Sequence, residues 1–216
     1  GGHCLPKDGI LLWWRALEAG LPSRNSLILA ARAVNDASPA ATVRLARLAL
    51  GAFNRRRAVV LGAAYRFDSE DTRNSPSLTL AALLRDSGAD VIVHDPYVPA
   101  RDANLARLGL SGHFTSDIES ALDGRSVVFL ATAHKVYRDL LPRLRRPSSG
   151  IEGVIDACNL YQAGDFGGTD VRYAGIGRGR RAPDGTLVRS VASMYRAVAR
   201  CVANEVDALV RFLNRR

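Results

Sequence analysis

The chain is poor in lysine, methionine, cysteine and aromatic residues, and it contains no long hydrophobic run. Lys7 and Lys135 are its only lysines, so nearly all of the positive charge is arginine, a skew that genome base composition can produce. The three cysteines, Cys4, Cys158 and Cys201, are odd in number and widely spread, which argues against a disulfide framework or a CxxC metal site and favours reduced thiols. His3, His94, His113 and His134 are scattered without metal-ligand spacing, so no metal is expected. No stretch approaches the roughly 18 apolar residues of a membrane span. The first residues also lack the basic-then-apolar order of a signal peptide, and a cytoplasmic location is expected.

What is present is a chain of 216 residues with 47% hydrophobic content, enough to bury a sizeable core in one or two units. The formal charge of +9 raises the question of nucleic acid. Its densest runs, Arg55-Arg56-Arg57, Arg143 to Arg146 and Arg178 to Arg181, sit at predicted element boundaries without interleaved aromatics. They read as dispersed, solvated surface, and a nucleic-acid partner is not expected.

Ile10 to Ala19 reads as a short amphipathic helix closed by Gly20, with Leu21-Pro22 as the break. Asn25 to Phe53 reads as a long helix bent near Ser38-Pro39, apolar on more than one face and therefore in need of more than one partner. From Arg57 onward short apolar runs alternate with helical stretches, the pattern of an α/β parallel sheet covered by helices. Strands are predicted at Ala58 to Leu61, Asp90 to His94, Ser126 to Ala131, Gly153 to Asp156 and Arg172 to Ile176. Helices are predicted at Ser77 to Ser87, Asp117 to Leu122, Lys135 to Leu141 and Val191 to Leu213. The expected division is 1–54, a cysteine loop with central helices, and 55–216, the α/β domain.

The chemistry-bearing segment comes first: Gly1-Gly2-His3-Cys4-Leu5-Pro6-Lys7-Asp8. A thiol attacks a carbonyl carbon as thiolate, a state favoured by a nearby cation or by backbone N–H groups, and Lys7 and the turn could supply both. Gly1 and Gly2 would let the backbone approach a substrate, Pro6 would stiffen the loop, and Asp8 could orient or deprotonate an attacking water. His3 either tunes Cys4, bonds substrate, or structures the loop.

The octapeptide resembles the catalytic loop of the nucleotide-sugar 6-dehydrogenases, the UDP-glucose/GDP-mannose dehydrogenase family. Further landmarks follow in family order: Asn35-Asp36 after a helical run, Leu61-Gly62-Ala63-Ala64-Tyr65-Arg66-Phe67-Asp68-Ser69-Glu70-Asp71-Thr72-Arg73-Asn74-Ser75-Pro76, Asp95-Pro96-Tyr97-Val98, and Tyr173-Ala174-Gly175-Ile176-Gly177-Arg178. The resemblance implies a Rossmann-like sheet domain after a long central helical segment that forms a homodimer. It also implies oxidation of a UDP-sugar C6 alcohol to a carboxylate with NAD, through a thiohemiacetal and thioester on Cys4, with Asp8 aiding hydrolysis. Gly-Gly-His-Cys is most similar to the branch acting on UDP-N-acetylhexosamines such as UDP-N-acetylmannosamine. Gly9-Ile10 departs from the proline and aromatic common after Lys-Asp.

No strand followed by GxGxxG occurs downstream, so an N-terminal NAD-binding domain is read as absent and NAD as bound mainly by that domain. The expectation is a C-terminal portion, inactive alone. The alternatives are a UDP-sugar-binding or dimerising remnant without catalysis, or a subunit of a split enzyme.

Ligands of open α/β sheets bind beyond the carboxyl ends of strands, which directs attention to Gly62 to Ser75. Arg66 stands where the family usually has Lys; it would grip a diphosphate while Tyr65 packs on sugar or base, or else it is a solvated loop residue. By resemblance, Lys7 and Arg73 reach the cofactor, the alternative for Arg73 being a structural salt bridge. Asp68 and Asp71 are expected to fix the loop, with Ser75 as N-cap and Pro76 at the first helical position. Asp95-Pro96 reads as a turn. Of Arg178, Arg180 and Arg181, Arg180 is taken as the substrate contact, and Cys158 as a buried core thiol.

Overall fold

The computed structural model describes Gly2, 4–20, 26–177 and the isolated positions Ala203, Asn204, Asp207 and Val210. Two compact units divide the chain, one of Gly1–Gly2 and Ser38–Arg178, the other of His3–Ala37 and Gly179–Arg216.

The second unit holds α1 (Leu5–Glu18) and α2 (Leu27–Asp36), which pack on each other. Helix α1 begins earlier than expected. Pro6, with φ already suited to a first turn and no N–H to orphan, starts the helix instead of stiffening a loop, and Asp8 sits in the first turn where the helix dipole favours a carboxylate. Lys7 and Asp8 are therefore helical residues. Ser26 caps α2 by accepting the Ile28 N–H at 3.2 Å. The expected long helix is two: α2 stops at Asp36, and α3 (Ser38–Leu50) follows with Pro39 in its first turn, where its missing N–H breaks no ladder bond.

In the first unit, α3 precedes β1 (Arg57–Leu61), α4 (Pro76–Asp86), β2 (Asp90–His94), α5 (Ala103–Arg107), β3 (Phe114–Thr115), α6 (Ile118–Leu122), β4 (Val127–Leu130), α7 (Leu141–Leu144), β5 (Gly153–Asp156) and β6 (Arg172–Gly175). All strands are parallel, in the order β3-β2-β1-β4-β5-β6. Every predicted strand forms, and the two-residue β3 is an addition. Because the sheet is covered on both faces, β1, β4 and β5 read as apolar runs.

The pleat sorts those runs between two cores. Ala58, Val60, Val91, Val93, Val127, Phe129 and Ile155 meet α3 and α4 through Val43, Ala46, Leu50, Leu80, Ala81 and Leu84. Val59, Leu61, Val128, Leu130 and Val154 meet Ala121, Leu122, Tyr137, Leu144, Tyr161 and Phe166 on the other face. Helix α4 starts as expected, with Ser75 accepting the Ser77 N–H and Pro76 at the first helical position. The helix predicted at Val191 to Leu213 lies largely outside the described residues.

Candidate functional site

Successive strands run to β3 on one side of β1 and to β6 on the other, so the order reverses between β1 and β4. A crevice opens at such a switch point, beyond the carboxyl ends of the strands. The segments reaching it are 62–75 after β1, 95–98 after β2 and 131–137 after β4.

Gly62 makes the exit from β1 possible. Its φ is +101°, and a Cβ there would lie 2.4 Å from the Thr132 Cβ and 2.8 Å from the Thr132 backbone nitrogen. Thr132 in turn donates its hydroxyl to the Ala64 carbonyl at 2.6 Å, so the loops after β1 and β4 are clasped together.

Asp95 organises the crevice from beneath. Fully buried, it accepts the N–H groups of Ala63 and Ala64 on one oxygen at 2.8 and 3.0 Å, and that oxygen also receives His134 Nε2 at 2.9 Å. Its other oxygen takes the Tyr97 and Val98 N–H groups at 2.9 and 3.3 Å, the expected turn. Burial alone would raise this carboxyl. The bonds from His134 and from the Ala64 and Tyr97 N–H groups outweigh burial and hold it below the ordinary Asp value.

His134, also fully buried, accepts the Asp68 N–H on Nδ1 at 2.8 Å, which places its ring proton on Nε2 toward Asp95. One imidazole thus joins the loops after β1, β2 and β4. Asp68, at φ +49°, accepts the Lys135 N–H at 3.1 Å and pairs with Lys135 Nζ at 3.4 Å. The Lys135 backbone bond lowers its carboxyl first, and the Lys135 charge adds to the effect. Below them Tyr137 donates to the His94 carbonyl at 3.0 Å with His94 Nδ1 against its oxygen at 2.9 Å; burial lowers His94 and raises Tyr137.

Above this buried scaffold lie exposed aromatic and charged groups. Arg66 stacks over Phe67, its guanidinium carbon 5.9 Å from the ring centroid, and Phe67 stands 56% exposed. Tyr97, 40% exposed, packs on His134 with ring centroids 5.0 Å apart. Asp71 accepts both the N–H and the guanidinium of Arg73, the shortest contact being 2.6 Å, while its carbonyl takes the Tyr65 N–H at 3.0 Å. Asp68 and Asp71 thus fix the loop as expected. Thr72, buried, donates to Asp102 at 2.8 Å and accepts from Asn104 at 2.8 Å, anchoring the loop's far end to the start of α5.

Gly2 is built into the same loop. Its N–H donates to the Arg73 carbonyl at 2.9 Å, its carbonyl accepts from Asn74 Nδ2 at 2.9 Å, and a Cβ on it would meet the Tyr65 ring at 2.9 Å. In its own unit, Cys4 is exposed at the N-cap of α1, its carbonyl accepting the Lys7 and Asp8 N–H groups at 3.0 and 2.8 Å, and Lys7 Nζ lies 3.6 Å from Asp8. Gly1, His3, Arg178, Arg180, Arg181 and Cys201 lie outside the described residues. Cys158 is half-buried beside Asp156, and burial followed by that charge pushes its thiol up to about 12.

Sequence reading missed His134, Lys135, Tyr97 and Asn74. The available signal was the rule about carboxyl ends of strands, applied to the predicted β4 as well as to β1.

An NAD cradle needs a glycine-rich turn whose backbone and helix N-terminus face the pyrophosphate. Here the link from β1 to α4 contains Gly62 as its one glycine, and the α4 N-terminus is capped by Ser75, buried together with Ser77. The described residues do not fit that group. Among them no cluster of His, Cys, Asp and Glu could hold a metal, and no helix is long and apolar enough to cross a membrane.

Residues 59–163 match the UDP binding domain of the UDP-glucose/GDP-mannose dehydrogenase family. The chain is 32% identical to UDP-N-acetyl-D-mannosamine dehydrogenase of Pyrococcus horikoshii over 83% of its own length and 39% of that protein. It is 27% identical to a UDP-glucose 6-dehydrogenase of Bacillus subtilis over 82% of itself and 38% of that protein. Among solved structures it resembles an NDP-N-acetyl-D-galactosaminuronic acid dehydrogenase from Methanosarcina mazei, with a TM-score of 0.71 and 29% identity over 82% of this chain and 38% of that one. The chain therefore spans well under half the length of the relatives it matches.

Proposed function

The chain belongs to the UDP-glucose/GDP-mannose dehydrogenase family through its UDP binding domain, and on that premise we propose that it is the central-helix and nucleotide-sugar-binding portion of an NAD-dependent UDP-sugar 6-dehydrogenase. In this reading the diphosphate lies against Arg66, Tyr65 packs on sugar or base, and Gly1, Gly2, His3 and Arg180 complete the sugar site. The Cys4 sulfur adds to the C6 aldehyde, forming a C–S bond while the carbonyl oxygen takes a proton. Once that thiohemiacetal has been oxidised to the thioester, water attacks the acyl carbon, Asp8 takes its proton, and the Cys4 thiolate leaves the new carboxylate. NAD is the oxidant of such enzymes. Its cradle is not among the described residues, and Lys7 and Arg73 are the two cations assigned to its side.

The supporting observation is the tie between Gly2 and the 62–75 loop. Cys4 follows Gly2 by two residues in the chain. The apolar side chains Leu11, Leu12, Trp14 and Leu17 on α1 and Val34 on α2 are exposed and suit a homodimer through the central helices. A cytoplasmic location belongs to the same proposal.

Calorimetric titration tests it. UDP and a UDP-sugar should bind saturably, and Arg66→Ala should weaken both about tenfold. A folded chain that binds neither, or binds equally after that substitution, overturns the reading. A second reading, in keeping with the absence of an NAD cradle among the described residues, is a UDP-sugar-binding or dimerising module without turnover, or one half of a split enzyme. Alkylation of Cys4 that a bound UDP-sugar slows favours the catalytic reading, and unchanged alkylation favours the module.

A further inference from the structure

The other edge of the sheet gathers arginines that are far apart in the chain. Arg56 precedes β1 and Arg57 opens it, Arg125 precedes β4, Arg145 and Arg146 follow α7, and Arg172 opens β6. The carboxylates beside them are Asp90, Glu152 and Asp170. Asp90 is shared by Arg125 at 2.9 Å and Arg57 at 3.6 Å, and Glu152 pairs with Arg56 at 2.8 Å.

An open groove lies here, its polar lining formed by Arg56, Arg145, Arg146, Thr169, Asp170 and Arg172, beside Glu152. Arg56 pairs with Glu152 and donates to the Leu50 carbonyl at 2.8 Å. Arg145 and Arg172 each place one guanidinium N–H on a carbonyl, of Gly167 and Ala49, at a long 3.4 Å. The Arg146 guanidinium has no partner among the described residues. Three guanidinium groups with unused donors therefore face a concavity in which Asp170 is the one unpaired carboxylate. Holding them together is unfavourable until an anion neutralises them.

We propose that this groove binds a compact oligophosphate anion, inorganic pyrophosphate or the phosphate tail of a nucleotide, at a site separate from the switch-point crevice. Guanidinium forks match phosphate oxygens bidentately, and two or three of them suit a group carrying several negative charges. The lining disfavours nucleic acid, because no aromatic side chain is present for bases to stack on.

The test is a titration of the full chain with pyrophosphate in about 150 mM salt, followed by backbone-amide NMR. Saturable shifts are expected at Gly150, Gly168 and Thr169, with Gly62 and Asp68 unmoved. The exposed double variant Arg145→Glu/Arg146→Glu should lose about tenfold or more in affinity while its UDP titration stays unchanged, and Arg146→Gln should lose less. A parallel titration with ADP identifies the source: equal affinity means that phosphate alone is read, and tighter binding with the same shifts means a nucleotide. Absence of saturable shifts, shifts confined to Gly62 and Asp68, or unaltered affinity in the double variant overturns the proposal. So does a single-stranded oligonucleotide that binds these residues more tightly than pyrophosphate.

Discussion

The two edges of one sheet handle charge in opposite ways. At the carboxyl edge two carboxylates, Asp95 and Asp156, are fully buried and each accepts several bonds. Asp95 accepts N–H groups from two loops and a histidine, and Asp156, the last residue of β5, accepts the Cys158, Leu160 and Tyr161 N–H groups and the Tyr173 hydroxyl. At the amino edge the arginines are mostly exposed and hold one or two acceptors each, apart from Arg146, whose guanidinium holds none among the described residues. A saturated network fixes loops in one arrangement, whereas a surplus of donors leaves capacity for a ligand.

Asp95→Ala probes the difference most severely. It strands the His134 Nε2–H and the Ala63 and Ala64 N–H groups in a dry interior, and a loss of about 3–5 kcal/mol is expected by chemical denaturation. Asp95 also carries a pH signature. Its folded carboxyl lies below the ordinary value, so its contribution is complete above the unfolded pKa and is lost as pH falls through the folded one. The wild-type chain should therefore lose stability below about pH 4, and the Asp95→Asn chain should lose less over the same interval. A parallel acid decline in both would break the contrast between the edges.

Gly62→Ala comes next. The new Cβ meets Thr132 backbone as well as side chain and demands a left-handed φ, so a loss of about 2–3 kcal/mol is expected. Smaller still in stability is Tyr65→Ala. The ring rests on Gly2, and its loss should weaken UDP-sugar binding about tenfold while the unfolding free energy changes by about 1 kcal/mol, as calorimetry and denaturation measure separately.

What the amino-acid sequence revealed tracks what depends on neighbours in the chain. Ala58-Val59-Val60-Leu61 and Val127-Val128-Phe129-Leu130 declare buried strands because both faces are apolar, and Ser75-Pro76 declares a helix start through local capping. Phe114-Thr115 escaped because two residues set no period. Pro6 was ambiguous, since a proline suits a loop and a first helical turn equally well. Tyr65 and Arg66 were legible from the switch-point rule, but His134 and Lys135 depend on β4 lying beside β1, which no local pattern states. The Arg55–Arg57 and Arg143–Arg146 runs looked dispersed for the same reason, and parallel topology brings them to one edge.

The mildest expected effect is at that edge. Glu152→Gln removes the charge partner of Arg56, yet Glu152 is 60% exposed, Arg56 keeps its bond to the Leu50 carbonyl, and solvent screens the pair. The loss should stay under about 1 kcal/mol and vanish near 1 M salt, in contrast to Asp95, whose buried bonds salt does not reach. The same substitution frees an arginine beside the groove, so pyrophosphate should bind more tightly to the Glu152→Gln chain than to the wild type. A stability loss as large as that of Asp95→Ala would mean that the amino edge is a saturated structural network like its opposite, with no spare donors for an anion.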